Sequence, residues 1–330
     1  MLPRNLELME KAKAFVEENL TFCTYVCLIG SVAREEADEF SDIDLICFTG
    51  REQYLGEQDI SYNGEIVQLQ VKSILEFPNK ELFSYNPWHF RYLNESVILK
   101  DTNAELSKLQ GWAQSYFSSI QGQRDVIQDV ERIVQGRKEY AIDQLRGENY
   151  FAATHAAMGA WAEAALMYQF LHNDRVAIDS MIPNIMELPL FDELLDSVPI
   201  KSIEQVDISE VSQTMTRLRL YLRDVGFSHL PGLSDLQDEI GKHKEQRLLQ
   251  EGELFNLLWQ SYSEAFLLLL KTSQDEEFHT YYAKLPEELK ERLETIGFIA
   301  LPKSKVESLL NISDKLLDLS KHELASEQKS

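Results

Sequence analysis

The chain has 330 residues, 44% apolar and 26% charged, enough to bury a sizeable core and to form two domains with a third small unit. Its 55 acidic residues against 32 basic ones give a formal charge of −23, a surface that repels a nucleic-acid backbone and draws cations. The three cysteines lack zinc-site spacing, the N-terminus carries no signal-peptide pattern, and the longest apolar run, Ala265–Leu270, is too short to span a bilayer. A cytoplasmic protein without a disulfide framework, a membrane anchor or a nucleic-acid partner is expected.

Residues 5–20 place Leu6, Met9, Ala12, Phe15 and Val16 at helical spacing and predict an opening helix. Four strands are then expected: Tyr25–Ile29, Ile43–Phe48, Ile66–Val71 with its period-2 alternation, and Ser96–Leu99. Asn63-Gly64 is a turn signal ahead of the third strand. Beyond residue 110 strands fade. Residues 120–146, 151–173, 209–224 and 244–271 read as helices, with Pro183, Pro189 and Pro199 breaking the chain between the second and third. Pro286 and Pro302 mark two further helix starts. The fold class is α+β: a mixed β-sheet with flanking helices, then an all-helical region.

The chemistry concentrates in Gly30-Ser-Val-Ala-Arg-Glu-Glu-Ala-Asp-Glu-Phe-Ser-Asp-Ile-Asp44. An apolar strand runs into Gly30-Ser31, where glycine lets the backbone approach a phosphate and Ser31 can donate to its oxygens. Asp42 follows eleven residues after Ser31, and Asp44 two later on a strand, so both carboxylates share one face. Two carboxylates with triphosphate oxygens make the incomplete oxygen cage that Mg²⁺ prefers. Arg34 is a phosphate contact or an ion pair with Glu35 or Asp38, and Ser41 stands beside the first acid.

At these residues the sequence resembles the polymerase-β-type nucleotidyltransferase superfamily, and within it the kanamycin nucleotidyltransferase-like antibiotic adenylyltransferases. The likeness extends to Glu65–Val71, Ile98–Asp101 and Glu139–Ala141, and fades after His172. The chain is expected to divide into a catalytic domain over residues 1–115, a helical substrate-binding domain over 116–272 and a helical extension over 273–330. The resemblance implies a homodimer, Mg²⁺ at Asp42 and Asp44, a nucleotide such as ATP at Gly30, Ser31, Arg34 and Ser41, and Glu139 as general base. The expected reaction moves AMP onto a hydroxyl of a small molecule, an aminoglycoside-like cation above all.

One departure stands out. The superfamily carries a third carboxylate on the next strand, where this chain has Gln68 and Gln70. The alternatives are an enzyme whose base is Glu139 alone, a catalytically impaired binding or regulatory module, or an enzyme that modifies a protein hydroxyl. Val67 and Leu69 are expected in the core, with Gln68 facing Asp42 and Asp44. The Trp88, Tyr92, Trp112 and Trp161 rings are read as core, and His155 and His172 as structural. Arg223–His229 resembles a signature of helical ribonucleases, but Gly226 should end the helix it needs.

Overall fold

The computed structural model describes residues 3–173, 185–200, 208–230, 232–274 and 276–327. Pro183 and its neighbours therefore lie outside the described residues. The elements run α1 Pro3–Asn19, β1 Tyr25–Ile29, α2 Gly30–Ala33, β2 Ile43–Thr49, β3 Gly56–Tyr62, β4 Glu65–Ser73, α3 Lys80–Tyr85, β5 Val97–Asp101 and α4 Glu105–Phe117. Helices follow: α5 Ile120–Arg146, α6 Tyr150–Asn173, α7 Phe191–Leu195, α8 Ile208–Leu222, α9 Asp235–Gln250, α10 Leu254–Ser273, α11 Phe278–Ala283, α12 Glu287–Thr295 and α13 Lys303–Glu327. Among the described residues no strand follows β5, so the α+β reading holds: a mixed sheet with helices, then a helical region.

The chain divides into two compact units. The first takes residues 1–129 with 235–244, and the second takes most of the remainder, from residue 130 to the end.

The sheet of the first unit has the order β3-β4-β2-β1-β5, with β2 and β4 parallel and the other neighbours antiparallel. Its register follows from the period of two. Val26, Leu28, Ile43, Leu45, Cys47, Val67, Leu69 and Val71 form one buried face, packed against Leu8, Met9, Ala12, Phe15 and Val16 of α1. Each such side chain contributes about 1.5–3 kcal/mol when fully buried, and a slip by one residue would turn the whole set outward. The opposite face therefore receives Asp44, Ile46, Gln68 and Gln70, which fulfils the expectation for Val67 and Leu69.

Strand β3 was not among the expected elements. Its sequence, Gly-Glu-Gln-Asp-Ile-Ser-Tyr, is polar and largely exposed, as suits an edge strand whose charges discourage further pairing. The hairpin to β4 turns on Asn63 and Gly64, both at positive φ (50° and 80°), the backbone of a type I′ turn. The expected helix over 244–271 is two helices, α9 and α10. Gly252, at φ 74°, closes the first: its N–H donates to Leu249 O at 3.2 Å and that of Glu253 to Leu248 O at 2.8 Å, a Schellman cap. Gly226 has φ 107° just after α8, so the helix required by the ribonuclease signature ends there.

Trp88, Tyr92 and Trp161 are buried, and half-buried Trp112 packs edge-on to Phe83 at 5.0 Å. His155 stacks on Phe266, and His172 joins Tyr168 O at 2.7 Å to Glu323 at 2.8 Å, both structural uses. All three cysteines are buried and free. No helix among the described residues is long and apolar enough to cross a membrane.

Candidate active site

The site begins where β1 ends. Gly30 has φ 71°, and a Cβ built on it would lie 2.2 Å from Asp44 Oδ2. Two separate constraints thus require glycine: the left-handed backbone, and the packing of its Cα against the Asp44 carboxylate. The pairing Ile29↔Asp44 between β1 and β2 produces that approach.

The single turn of α2 closes with Glu35 at φ 63°, where Glu35 N–H donates to Val32 O at 3.3 Å and Glu36 N–H to Ser31 O at 2.9 Å. This cap is usually made by glycine. From beneath, fully buried Asn5 of α1 donates to Val32 O at 3.2 Å and accepts from Ala37 N–H at 3.1 Å. Asp38 accepts from Phe40 N–H at 2.9 Å and from Ser41 Oγ at 2.9 Å, while Ser41 Oγ accepts from Asp38 N–H at 3.0 Å and from Ser31 Oγ at 3.1 Å. Ser31 and Ser41, both buried, thus hold the loop in shape around the acids.

Asp42 and Asp44 are half-buried and do converge. β2 and β4 pair Asp44 with Gln68, and the Gln68 amide faces both acids. Turned with its nitrogen toward them, it donates to Asp44 Oδ1 at 3.1 Å and to Asp42 Oδ2 at 3.3 Å. Turned the other way it presents oxygen to two carboxylates, an arrangement that a cation alone would favour. Oxygen donors around one small cation, bonded at about 2.0–2.1 Å, sit roughly 3 Å apart, so these residues fit Mg²⁺. Among the described residues, no three His, Cys, Asp or Glu side chains gather as a metal site.

Arg34 Nε meets Glu36 at 3.0 Å, and its Nη1 meets Glu95 at 3.7 Å. Glu65, which precedes Gln68 on β4, does not join the two acids. It points to the α1 side, where Arg4 (2.5 and 2.9 Å) and Lys11 (2.5 Å) clamp its carboxylate. Burial pushes the Glu65 carboxyl up, but the hydrogen bonds and charges of those two cations outweigh it and hold it below the usual glutamate value. Glu139 lies in the second unit, exposed on α5, where it accepts from Gln135 Nε2 at 3.0 Å.

Two residues escaped sequence reasoning. Asn5 gave a signal, a polar residue in register with the apolar stripe of α1. Asp59 gave none, because β3 was not foreseen: the β3–β4 pairing sets it opposite Gln68, so Asp44, Gln68 and Asp59 form one cross-strand row. Its carboxylate accepts from Gln237 Nε2 at 2.7 Å.

The site thus joins a Gly-Ser turn at the end of one strand to two acids on the next, within a mixed sheet. Residues 9–95 match the family model for the nucleotidyltransferase domain, which takes in every element of this site from Gly30 to Gln68. No curated protein matches the chain, so the narrower likeness to kanamycin nucleotidyltransferase rests on its motif residues. A nucleotidyltransferase-like protein from Exiguobacterium sibiricum 255-15, known from a crystal structure, aligns over 89% of this chain and 88% of its own. Its identity is 11% and its TM-score 0.28.

Proposed function

We propose that the protein transfers a nucleoside monophosphate, AMP from ATP, to a hydroxyl of a small cationic molecule such as an aminoglycoside, in the cytoplasm. The observation that carries this reading is the convergence of Asp42, Asp44 and the Gln68 amide on one point beside Gly30. Asp42 and Asp44 would hold Mg²⁺, with the Gln68 carbonyl oxygen as a neutral third donor. Bound there, the ion supplies charge neutralisation on the triphosphate and its pyrophosphate leaving group. Gly30 keeps the backbone close to the phosphates, and the Ser31–Ser41–Asp38 chain fixes that approach before substrate arrives.

The acceptor hydroxyl must lose a proton as its oxygen attacks the α-phosphorus. Resemblance assigns that proton to Glu139. Strand pairing favours a second reading, in which Asp59 takes it, since Asp59 shares the row and the face of Asp44 and Gln68. A polyanionic acceptor suits the −23 charge poorly.

The test is incubation with Mg²⁺, each labelled nucleoside triphosphate and a panel of aminoglycosides and lincosamides, reading pyrophosphate. The expected result is acceptor-dependent release from wild type and none from Asp44→Asn. Mg²⁺-ATP binding without release under any acceptor would replace this proposal with that of a nucleotide-binding module.

A further inference from the structure

The second unit contains a cavity of about 430 Å³ bounded by the end of α5, the start of α6, the end of α10 and α11. Its size is that of a small-molecule pocket. Five rings line it. Tyr140 and Tyr150 are 52% and 41% exposed, so their ring faces are open to a ligand. Phe151 and Phe266 flank Phe278, with ring centroids 5.4 and 5.0 Å from it, and give the cavity an apolar floor.

The charge at its lining has one sign. Glu148, Glu276 and Glu277 contribute carboxylates, and no lysine or arginine lines it. Lys284 reaches Glu276 at 2.5 Å from outside the lining, and His279 lies 4.0 Å from Glu277. Glu148 makes no ion pair among the described residues. Behind the floor, His155 stacks on Phe266 at 4.3 Å. Burial, reinforced by the charge of Arg137, pulls that imidazole down to about 4, so it adds no positive charge at neutral pH.

Aromatic faces attract cations through their ring quadrupoles, and carboxylates at the mouth add a long-range attraction of the same preference. An anion would meet three negative groups, and a neutral ligand would leave them unused. We infer that this cavity binds an organic ammonium compound carrying a ring-sized apolar body, the body against Phe151, Phe266 and Phe278 and the ammonium toward Glu148 and Glu277. The site stands independently of nucleotidyl transfer, because none of its residues belongs to the motif at Asp42 and Asp44.

The experiment is calorimetric titration of the full chain with benzyltrimethylammonium. Phenylacetate, with the same ring and opposite charge, and tetramethylammonium, with the charge and no ring, serve as comparison ligands. The expected result is that benzyltrimethylammonium binds, tetramethylammonium binds more weakly and phenylacetate does not bind. Glu148→Gln with Glu277→Gln should weaken benzyltrimethylammonium about tenfold with an unchanged melting temperature, each charge contributing roughly 0.5–1 kcal/mol. Glu148→Gln alone, at an exposed loop position, should weaken it about threefold and guards against a folding defect in the double variant. Phenylacetate binding as tightly, unaltered affinity in the well-folded variants, or no binding by any of the three would overturn the inference.

Discussion

The two units place their polar groups by different means. In the sheet unit, position follows from strand register. Once Ile43 and Val67 face α1, Asp44 and Gln68 must face the other way and opposite each other. In the helical unit, polar groups meet through long side chains at helix surfaces, as where Arg137 reaches Glu163 at 3.1 Å or Lys315 reaches Glu193 at 2.6 Å. Backbone pairing fixes a carboxylate to within a fraction of an ångström, whereas a surface ion pair spends side-chain entropy to hold a looser geometry. Under the proposed function, the unit built on register is the one suited to align a phosphorus, a metal and a hydroxyl. The helical unit offers volume and charge, as suits recognition.

That contrast is sharpened first by the base, where the largest effect is expected. Glu139→Gln and Asp59→Asn each keep size and hydrogen bonding while removing a proton acceptor. Whichever residue is the base should lose ~10²–10⁴ in turnover with nucleotide affinity nearly intact, and the other should change little. Steady-state kinetics on the two variants decides whether the base comes from the helical unit or from the sheet row.

Next comes Asn5→Ala. It strips the buried tether from Val32 O and Ala37 N–H, leaves that N–H unsatisfied, and should cost roughly 2–3 kcal/mol by urea denaturation. Nucleotide affinity should fall as well, because the loop that carries Gly30 loses its support. Glu35→Gly relieves a left-handed backbone at the end of α2 and should stabilise by about 1 kcal/mol in the same assay. The smallest effect belongs to the helical unit. Lys138 pairs with Asp314 across α5 and α13 with both side chains partly exposed, so Lys138→Ala should cost under about 1 kcal/mol. A loss there as large as that of Asn5→Ala would break the comparison.

The same contrast explains what could be read in the sequence. Val67 and Leu69 alternate with Gln68 and Gln70, so the faces of β4 were legible in the sequence, and with them the meeting of Gln68 with Asp42 and Asp44. Strand β3 was hidden because an exposed edge strand needs no apolar alternation, and Asp59 was hidden with it. Asn5 was hidden because helical periodicity is carried by apolar positions, and a buried amide at the same spacing reads as a polar interruption. Gly252 was visible, but the apolar periodicity on both sides of it outweighed a single residue whose positive φ ends a helix. The cavity at Tyr140 and Phe278 had no sequence signature, since it depends on how four helix ends pack.

The expectation that Gln68 marks a lost ligand changes with the geometry. An amide can donate its nitrogen to the two acids or turn its oxygen to the same place, where the proposed metal would sit. The most direct test compares thermal melts of wild type, Gln68→Glu and Asp44→Asn, each with and without Mg²⁺-ATP. The account predicts a stabilising shift in wild type and none in Asp44→Asn. Gln68→Glu, with three carboxylates crowded together, should melt below wild type without metal and show a larger Mg²⁺-induced shift. Equal shifts in all three proteins would contradict the metal site at Asp42, Asp44 and Gln68, and with it the account.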